Sequence, residues 1–573
     1  MQPRYQIIDA IGPFVLDVPK DTTINWSKVP FAQIEHGGRL SAATRAQILS
    51  RFDTYLAKVQ PQGYDTLSID DLAHMIVFEW YSPKLQNLLS DYNLLYCDIV
   101  ALAQSYGMAV LVNTDYIFWN DEIQTHLESS GMTAAELLDE ACELLTRQVP
   151  GVAGVILRIG ESDGRDIRDT FVSKLALRTP RAANKLLKHI LPRFEHHTMT
   201  LIVRTWTVGV YQIGDLIWNT DTYDDVFGDI DSDALVVSMK YGDTDFMRYL
   251  ELNPLFRHGH HRKIIELQAR REWEGMGMLP SFVGWQYGEY LKQLRDVKEL
   301  VGIHVWCQTG GWAKSSWDNV TYLQQSSLWV ELNTEVVARM YRDGISVEAA
   351  TEQFCTARDL GDSTVFLQLL RSSDGAITRG LYVAAIARQK LYFRRTRLPT
   401  LLWLTWDKVD ISPVTLRLLR LLIHNDESVL LDAKQAYSLA SSAVRDAQLL
   451  NFDAGARRSL EVLQETLRLA LSVKTSLVSQ RSNIDAKALD AAVERYRRIC
   501  PDGYTITQVA LPRKYQRFPI GFLARRLLRA DSSYRKRDKL LLKTSRVQRA
   551  LVRYSMRNSS LKDQSMGIES LFY

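Results

Sequence analysis

The sequence predicts a (β/α)8 TIM barrel followed by an α-helical C-terminal region. Up to about residue 345, eight short apolar runs occur, mostly rich in β-branched residues and bounded by turn residues. Longer stretches with apolar residues at helical spacing lie between them. Beyond that point the strand signal nearly disappears. Alternating βαβα units imply a parallel sheet, and eight of them imply closure into a barrel. A doubly wound open sheet is the main rival, but no GxGxxG follows the first strand to support it.

The predicted strands are PFVLDV (13–18), DTLSIDD (65–71), MAVLVNTD (108–115) and VAGVILRIGE (152–161). They continue with MTLIVRTW (199–206), ALVVSMKYG (234–242), KIIELQAR (263–270) and GIHVWCQTGG (302–311). Helices are predicted between them, for example over 134–148 and 181–194. Two long amphipathic stretches, 431–450 and 455–480, mark the helical region. The expected organisation is therefore a barrel over 1–345, a helical domain over 346–510 and a basic segment over 511–573. Between Arg513 and Arg553 that last segment carries 14 Lys or Arg against two acids, Asp531 and Asp538.

The 573-residue chain is 46% apolar and 24% charged, the balance of an ordinary globular protein. Its net charge of +4 excludes a polyanion binder as a whole. The five cysteines (Cys97, Cys142, Cys307, Cys355, Cys500) form no CxxC pair and read as reduced core thiols. Asp9, Asp17 and Asp21 interrupt the N-terminal apolar stretch, so no signal peptide is expected and the predicted location is cytoplasmic. No P-loop, zinc spacing or nucleic-acid module is present, and neither cofactor nor metal is expected.

In a barrel the chemistry sits at the C-terminal ends of the strands, and alternation selects the inward side chains. In the fourth run Val155, Leu157, Ile159 and Glu161 share one face, read as an apolar inward row capped by a carboxylate. The fifth offers Ile202, Arg204 and Trp206; the sixth offers Val236, Ser238 and Lys240, with Asp245 in the loop beyond. The seventh presents Glu266, Gln268, Arg270 and Glu272. Asp115 closes the third. Paired carboxylates at one mouth are what glycoside hydrolysis needs: one gives a proton to the leaving oxygen, the other activates water or attacks carbon. An apolar row beneath Glu161 would raise its pKa, as suits a proton donor. His258, His260 and His261 precede the seventh run and read as a solvated loop at the opposite face. Ser162 in GESDG fits the letters of a nucleophile elbow, a minor reading because that motif belongs to another sheet.

The ordered segments GVAGVILRIGESDG, IVRTWTVG, VVSMKYGDTDF, NPLF and IIELQARREWEG resemble glycoside hydrolase family 67, the α-glucuronidases. The likeness covers roughly residues 140–355, with the Lys240–Asp245 and Glu266–Glu272 spacings preserved. It implies an inverting glycosidase acting on an acidic oligosaccharide from its end, with Glu161 as general acid and Asp245 with Glu272 as the base. Arg204 and Lys240 fall where that family binds the uronate carboxylate, and Trp206, Asp115 and Glu266 complete the expected substrate-binding set. The chain departs from the family in Gly-Glu-Ser-Asp around Glu161, and because a barrel-like strand is predicted from Pro13, the family's N-terminal β-domain is not expected ahead of it. Two other classes stay open. One is a non-catalytic carbohydrate-binding or scaffolding protein of a polysaccharide assembly system, tethered to membrane or polyanion through residues 513–553. The other is a uronate lyase or epimerase reusing Lys240 and Arg204. The expected partner is a glycan rather than nucleic acid, and the helical C-terminal region offers a surface for a homodimer.

Overall fold

The structure is a computed structural model describing residues 5–16, 29–160, 170–207, 211–308, 321–323, 327–390, 392–393, 396–397, 404–405, 408–411, 427–478, 486–501, 504–508 and 534–543. Eight parallel strands close a barrel: β1 (Tyr5–Asp9), β2 (Thr66–Asp70), β3 (Ala109–Asp115), β4 (Gly154–Gly160), β5 (Thr200–Thr207), β6 (Leu235–Lys240), β7 (Arg262–Gln268) and β8 (Leu300–Trp306). Closure comes from β1, which pairs with β2 on one side and β8 on the other, Ile8 lying opposite Val305.

Seven of the predicted runs become strands, but the described part of the first, 13–16, does not. Gly12–Phe14 is a buried 3-10 turn, and the first strand is Tyr5–Asp9 instead. Pro13 has no N–H to give to a ladder, so it cannot serve a strand hydrogen-bonded on both sides. Tyr5–Asp9 can, and its end is sealed from across the chain: Asp9 accepts the backbone N–H groups of Cys307 (2.6 Å) and Gln308 (2.9 Å).

The helices α1 (Ala42–Val59), α2 (Pro83–Ser105), α3 (Asp121–Ser130), α4 (Ala134–Gln148), α5 (Pro180–His196), α6 (Thr220–Phe227), α7 (Gly284–Gln293) and α8 (Leu328–Asp343) follow the strands. Their starts are written locally. Thr133 and Glu136 form a capping box on α4, and Thr179 caps α5 with Pro180 in its first turn. Past the barrel come α9 (Val347–Ala357), α10 (Ser363–Gly380), α11 (Ser428–Asp446), α12 (Ala454–Val478) and α13 (Ala486–Ile499). Buried Ala433, Ala436, Ala440 and Ala443 let α11 lie close against its neighbours α10 and α12. The apolar core continues without a break from barrel to helices, and Trp329 on α8 donates to the Ser459 hydroxyl on α12 at 2.7 Å.

Of the basic segment, the described residues are 534–543, which include a short helix, Lys536–Lys543. Tyr534 donates to Asp215 at 2.8 Å and packs edge-on against Trp218 in the loop after β5. All five cysteines are free thiols. No helix among the described residues is long and apolar enough to cross a membrane.

Candidate active site

The barrel interior is layered. Ile7, Leu111, Ile156, Ile202, Val236, Ile264 and Val301 form an apolar plug near the N-terminal face. TIM-barrel interiors are dominated by such branched apolar residues. The layer above turns polar: Ser68 of β2 joins Asn113, Arg158, Arg204, Ser238, Glu266 and His304 of β3 to β8, all essentially buried. Buried polar groups are costly unless paired. Most are paired: Arg204 holds Glu266 with two bonds (3.0 and 2.8 Å), Ser238 adds one at 2.8 Å, and Ser68 meets His304 Nε2 at 3.0 Å.

The sequence-predicted residues of β5 to β7 do meet at the C-terminal mouth. Burial alone would raise the Glu266 carboxyl, but the Arg204 guanidinium outweighs it and holds Glu266 at about 2. Arg204 also lies over the Trp306 ring at 4.7 Å, while Trp306 donates to Glu266. One layer up, Lys240 binds Asp245 at 2.5 Å with its ammonium over Trp206 (3.4 Å) and Phe246 (4.4 Å). Each cation thus comes to the mouth with a carboxylate already beside it. Glu272 completes the group. Its backbone N–H donates to Gln268, and burial together with the neighbouring Asp245 charge lifts its carboxyl to about 7. Glu272 is thus the carboxyl of this group that holds its proton near neutral pH, with the Asp245 charge and the Lys240 ammonium acting on it in opposite directions.

The fourth strand differs from expectation. Val155, Leu157 and Ile159 face outward into the core beneath the helices, whereas Ile156, Arg158 and Gly160 face inward. In a parallel barrel the outer face is itself buried, so the more apolar face is the outer one. The inward Arg158 reaches Asp115 (2.8 Å) and Asp70 (3.7 Å). Gly160 is required at the strand end, because a Cβ there would collide with the Trp206 carbonyl and the Thr207 backbone. Glu161 and Ser162 lie outside the described residues.

Sequence reasoning missed Asp9, Asp70, Asn113, Arg158 and His304. A signal was present, because β1, β2 and β3 each end in aspartate after an apolar run: QIID, LSID and LVNTD. Burial raises Asp9 to about 6 although it accepts two backbone N–H groups. Burial lowers His304 to about 3, so its imidazole is neutral.

The loop carrying Glu272 is held from below. Arg271, Gly275, Met276 and Gly277 all adopt positive φ, which two non-glycine residues do only under tertiary constraint. Glu274 supplies the constraint: fully buried, it accepts from Arg271, Arg248, Ser281 and Tyr382. Arg248 also pairs with Asp374 at 2.9 Å, and the Tyr504 hydroxyl donates to the Gly275 carbonyl at 2.5 Å. Residues of the helical C-terminal region therefore brace the loop at the mouth. At the opposite face His258 pairs with Asp224, and His261 sits between Tyr223 and the Ile230 carbonyl. No cluster of metal-ligating side chains occurs among the described residues.

No family model and no curated protein sequence matches the chain. Among solved structures, a GH138 enzyme targeting pectin rhamnogalacturonan II superposes with a TM-score of 0.54 at 9% identity. The alignment covers 87% of this chain and 62% of that one, so this chain spans less than two thirds of its neighbour. The enzyme CpGH84D aligns over 87% of this chain and 68% of its own, at TM-score 0.36 and 10% identity. The chitobiase FjGH20 of Flavobacterium johnsoniae covers 86% and 74%, at TM-score 0.31 and 8% identity. At such identity, the 0.54 match is a likeness of fold: a barrel with appended structure.

Proposed function

We propose that this protein is a glycoside hydrolase that cleaves an acidic glycan from its end with inversion. The observation that carries the reading is the Asp245–Glu272 carboxyl pair beside Lys240 at the C-terminal mouth. In this reading Glu161, which follows β4, protonates the glycosidic oxygen as the bond to the anomeric carbon breaks. A water on the opposite face attacks that carbon and gives its proton to the Asp245–Glu272 pair. Inversion requires about 6.5–9.5 Å between acid and base carboxyls, leaving room for the water. Lys240, presented on Trp206, would meet the ring carboxylate, with Arg204 fixing Glu266 beneath it. The resemblance to glycoside hydrolase family 67 supports these roles, and the neighbour described as a GH138 enzyme targeting pectin rhamnogalacturonan II supports a glycan substrate in general.

The test is a panel of aryl α- and β-glycosides, including α-glucuronides and neutral sugars, with the first-formed anomer assigned by proton NMR. The expected result is turnover with inverted configuration, lost in both Glu161→Gln and Glu272→Gln. Retained configuration refutes the water-activating role of the pair, and an ultraviolet-absorbing unsaturated product identifies a lyase instead. Binding without turnover across the panel would leave a carbohydrate-binding protein.

A further inference from the structure

The polar layer above the plug contains one side chain that stands apart from the pairing around it. Asn113 on β3 is fully buried, and neither its Oδ1 nor its Nδ2 has a hydrogen-bond partner among the described residues. Its neighbours in the layer are engaged, as the Arg204–Glu266–Ser238 and Ser68–His304 interactions show. A buried amide left unpaired costs stability that an apolar side chain of similar size would not. Its presence in the polar layer inside the barrel therefore calls for something that it binds.

Register states which way it points. Asn113 pairs with Asp70, the last residue of β2, and Asp115 pairs with Arg158 of β4. Residues paired across parallel strands project to the same side, and Arg158 reaches both aspartates inside the barrel. Asn113, Asp70 and Asp115 thus share one quarter of the barrel interior, across the barrel from β6 and β7, which lead to the Lys240–Asp245–Glu272 group. The chemistry of this quarter is specific. Carboxylate and amide oxygens accept, the amide NH2 donates, and two carboxylates around a single guanidinium disfavour an anion. Adjacent hydroxyl groups, each both donor and acceptor, match that set.

We propose that Asn113, flanked by Asp70 and Asp115, is a subsite receiving adjacent neutral hydroxyl groups of the sugar ring whose anomeric carbon reacts. This rests on the glycosidase reading and adds a direction to it: hydroxyls toward β2 and β3, any ring carboxylate toward β6.

The test compares wild type with Asn113→Leu, an apolar replacement of similar size. The probes are the nitrophenyl glycoside that wild type cleaves fastest and its monodeoxy analogues. Expected is a loss of roughly tenfold in kcat/KM for wild type on one deoxy analogue, as for a hydroxyl that loses its partner. Asn113→Leu should cleave the parent about tenfold more slowly, no longer distinguish that analogue, and show an unlowered thermal midpoint. If the variant keeps the wild-type parent-to-deoxy ratio for every analogue, whatever its rate or midpoint, Asn113 holds a structural water only and the proposal is overturned. Asn113→Ser, read by the same ratio, serves if the leucine variant does not fold. If wild type cleaves no glycoside, the hydrolase reading fails separately. The subsite is then read by saturation-transfer NMR with methyl glycosides. Saturation of ring protons that vanishes in Asn113→Leu supports it; saturation that persists in the variant, or is absent from wild type, overturns it.

Discussion

Glu274→Gln tests how the loop bearing Glu272 is held. The replacement keeps side-chain volume, so no cavity is made and the effect is electrostatic. In the native protein Glu274 is fully buried and accepts from Arg248 Nε (3.1 Å), Arg271 Nη2 (2.5 Å), Tyr382 (2.6 Å) and the Ser281 hydroxyl. Arg248 keeps Asp374 after the change, but Arg271 loses its carboxylate while remaining buried. Removing one partner of a buried ion pair costs about 3–5 kcal/mol. Tyr382→Phe removes one donor to a charged acceptor and should cost less, about 1.5–3 kcal/mol. Urea unfolding followed by tryptophan fluorescence at pH 7 measures both. The pH dependence supplies a further check. Burial pushes the Glu274 carboxyl up, but Arg248 and Arg271 outweigh it and hold it well below the usual range. Its contribution is therefore complete above the unfolded value of about 4.3 and is lost as pH falls below it. The gap between wild type and Glu274→Gln should narrow on acidification. A glutamine variant within about 1 kcal/mol of wild type at pH 7, below the range for a broken buried pair, refutes the bracing role.

Glu272 has the opposite sign. Because burial and Asp245 raise it to about 7, the folded state holds its proton more tightly than the unfolded chain, and stability should fall as pH rises from about 4.5 through about 7. If the pair activates water, kcat/KM should rise over the limb near pH 7, and a pH-independent profile between 5 and 8 would exclude it as the base. Asp9→Ala should cost about 2–4 kcal/mol in urea unfolding by orphaning the buried N–H groups of Cys307 and Gln308, a cost that Asp9→Asn should partly avoid. Arg158→Met should cost about 3–5 kcal/mol by leaving Asp70 and Asp115 buried without their shared guanidinium; an unchanged unfolding midpoint would show those carboxyls to be otherwise compensated.

Barrel class was legible because it depends on local pattern repeated many times. β-Branched runs separated by amphipathic stretches mark strands and helices one by one, and seven of eight strand positions follow from them. The convergence of Arg204, Lys240, Asp245, Glu266 and Glu272 was legible for the same reason, since strand ends share one mouth and alternation has period two. The first strand was not, because Tyr5–Asp9 and the run at 13–18 are both short and apolar. What separates them is pairing with β8, nearly 300 residues away.

What the sequence determined by itself was which side chains occupy the strand ends. What only the tertiary structure decided was which face of β4 turns inward and which partner each charge finds. Helices bury the outer face of a parallel strand as thoroughly as the barrel buries the inner one, so hydropathy cannot tell them apart, and Arg158 rather than Leu157 proves to face inward. Likewise, Arg204 joins Glu266, Lys240 joins Asp245, and Asn113 remains without a partner among the described residues, because pairing depends on layer height within the closed barrel rather than on spacing along the chain.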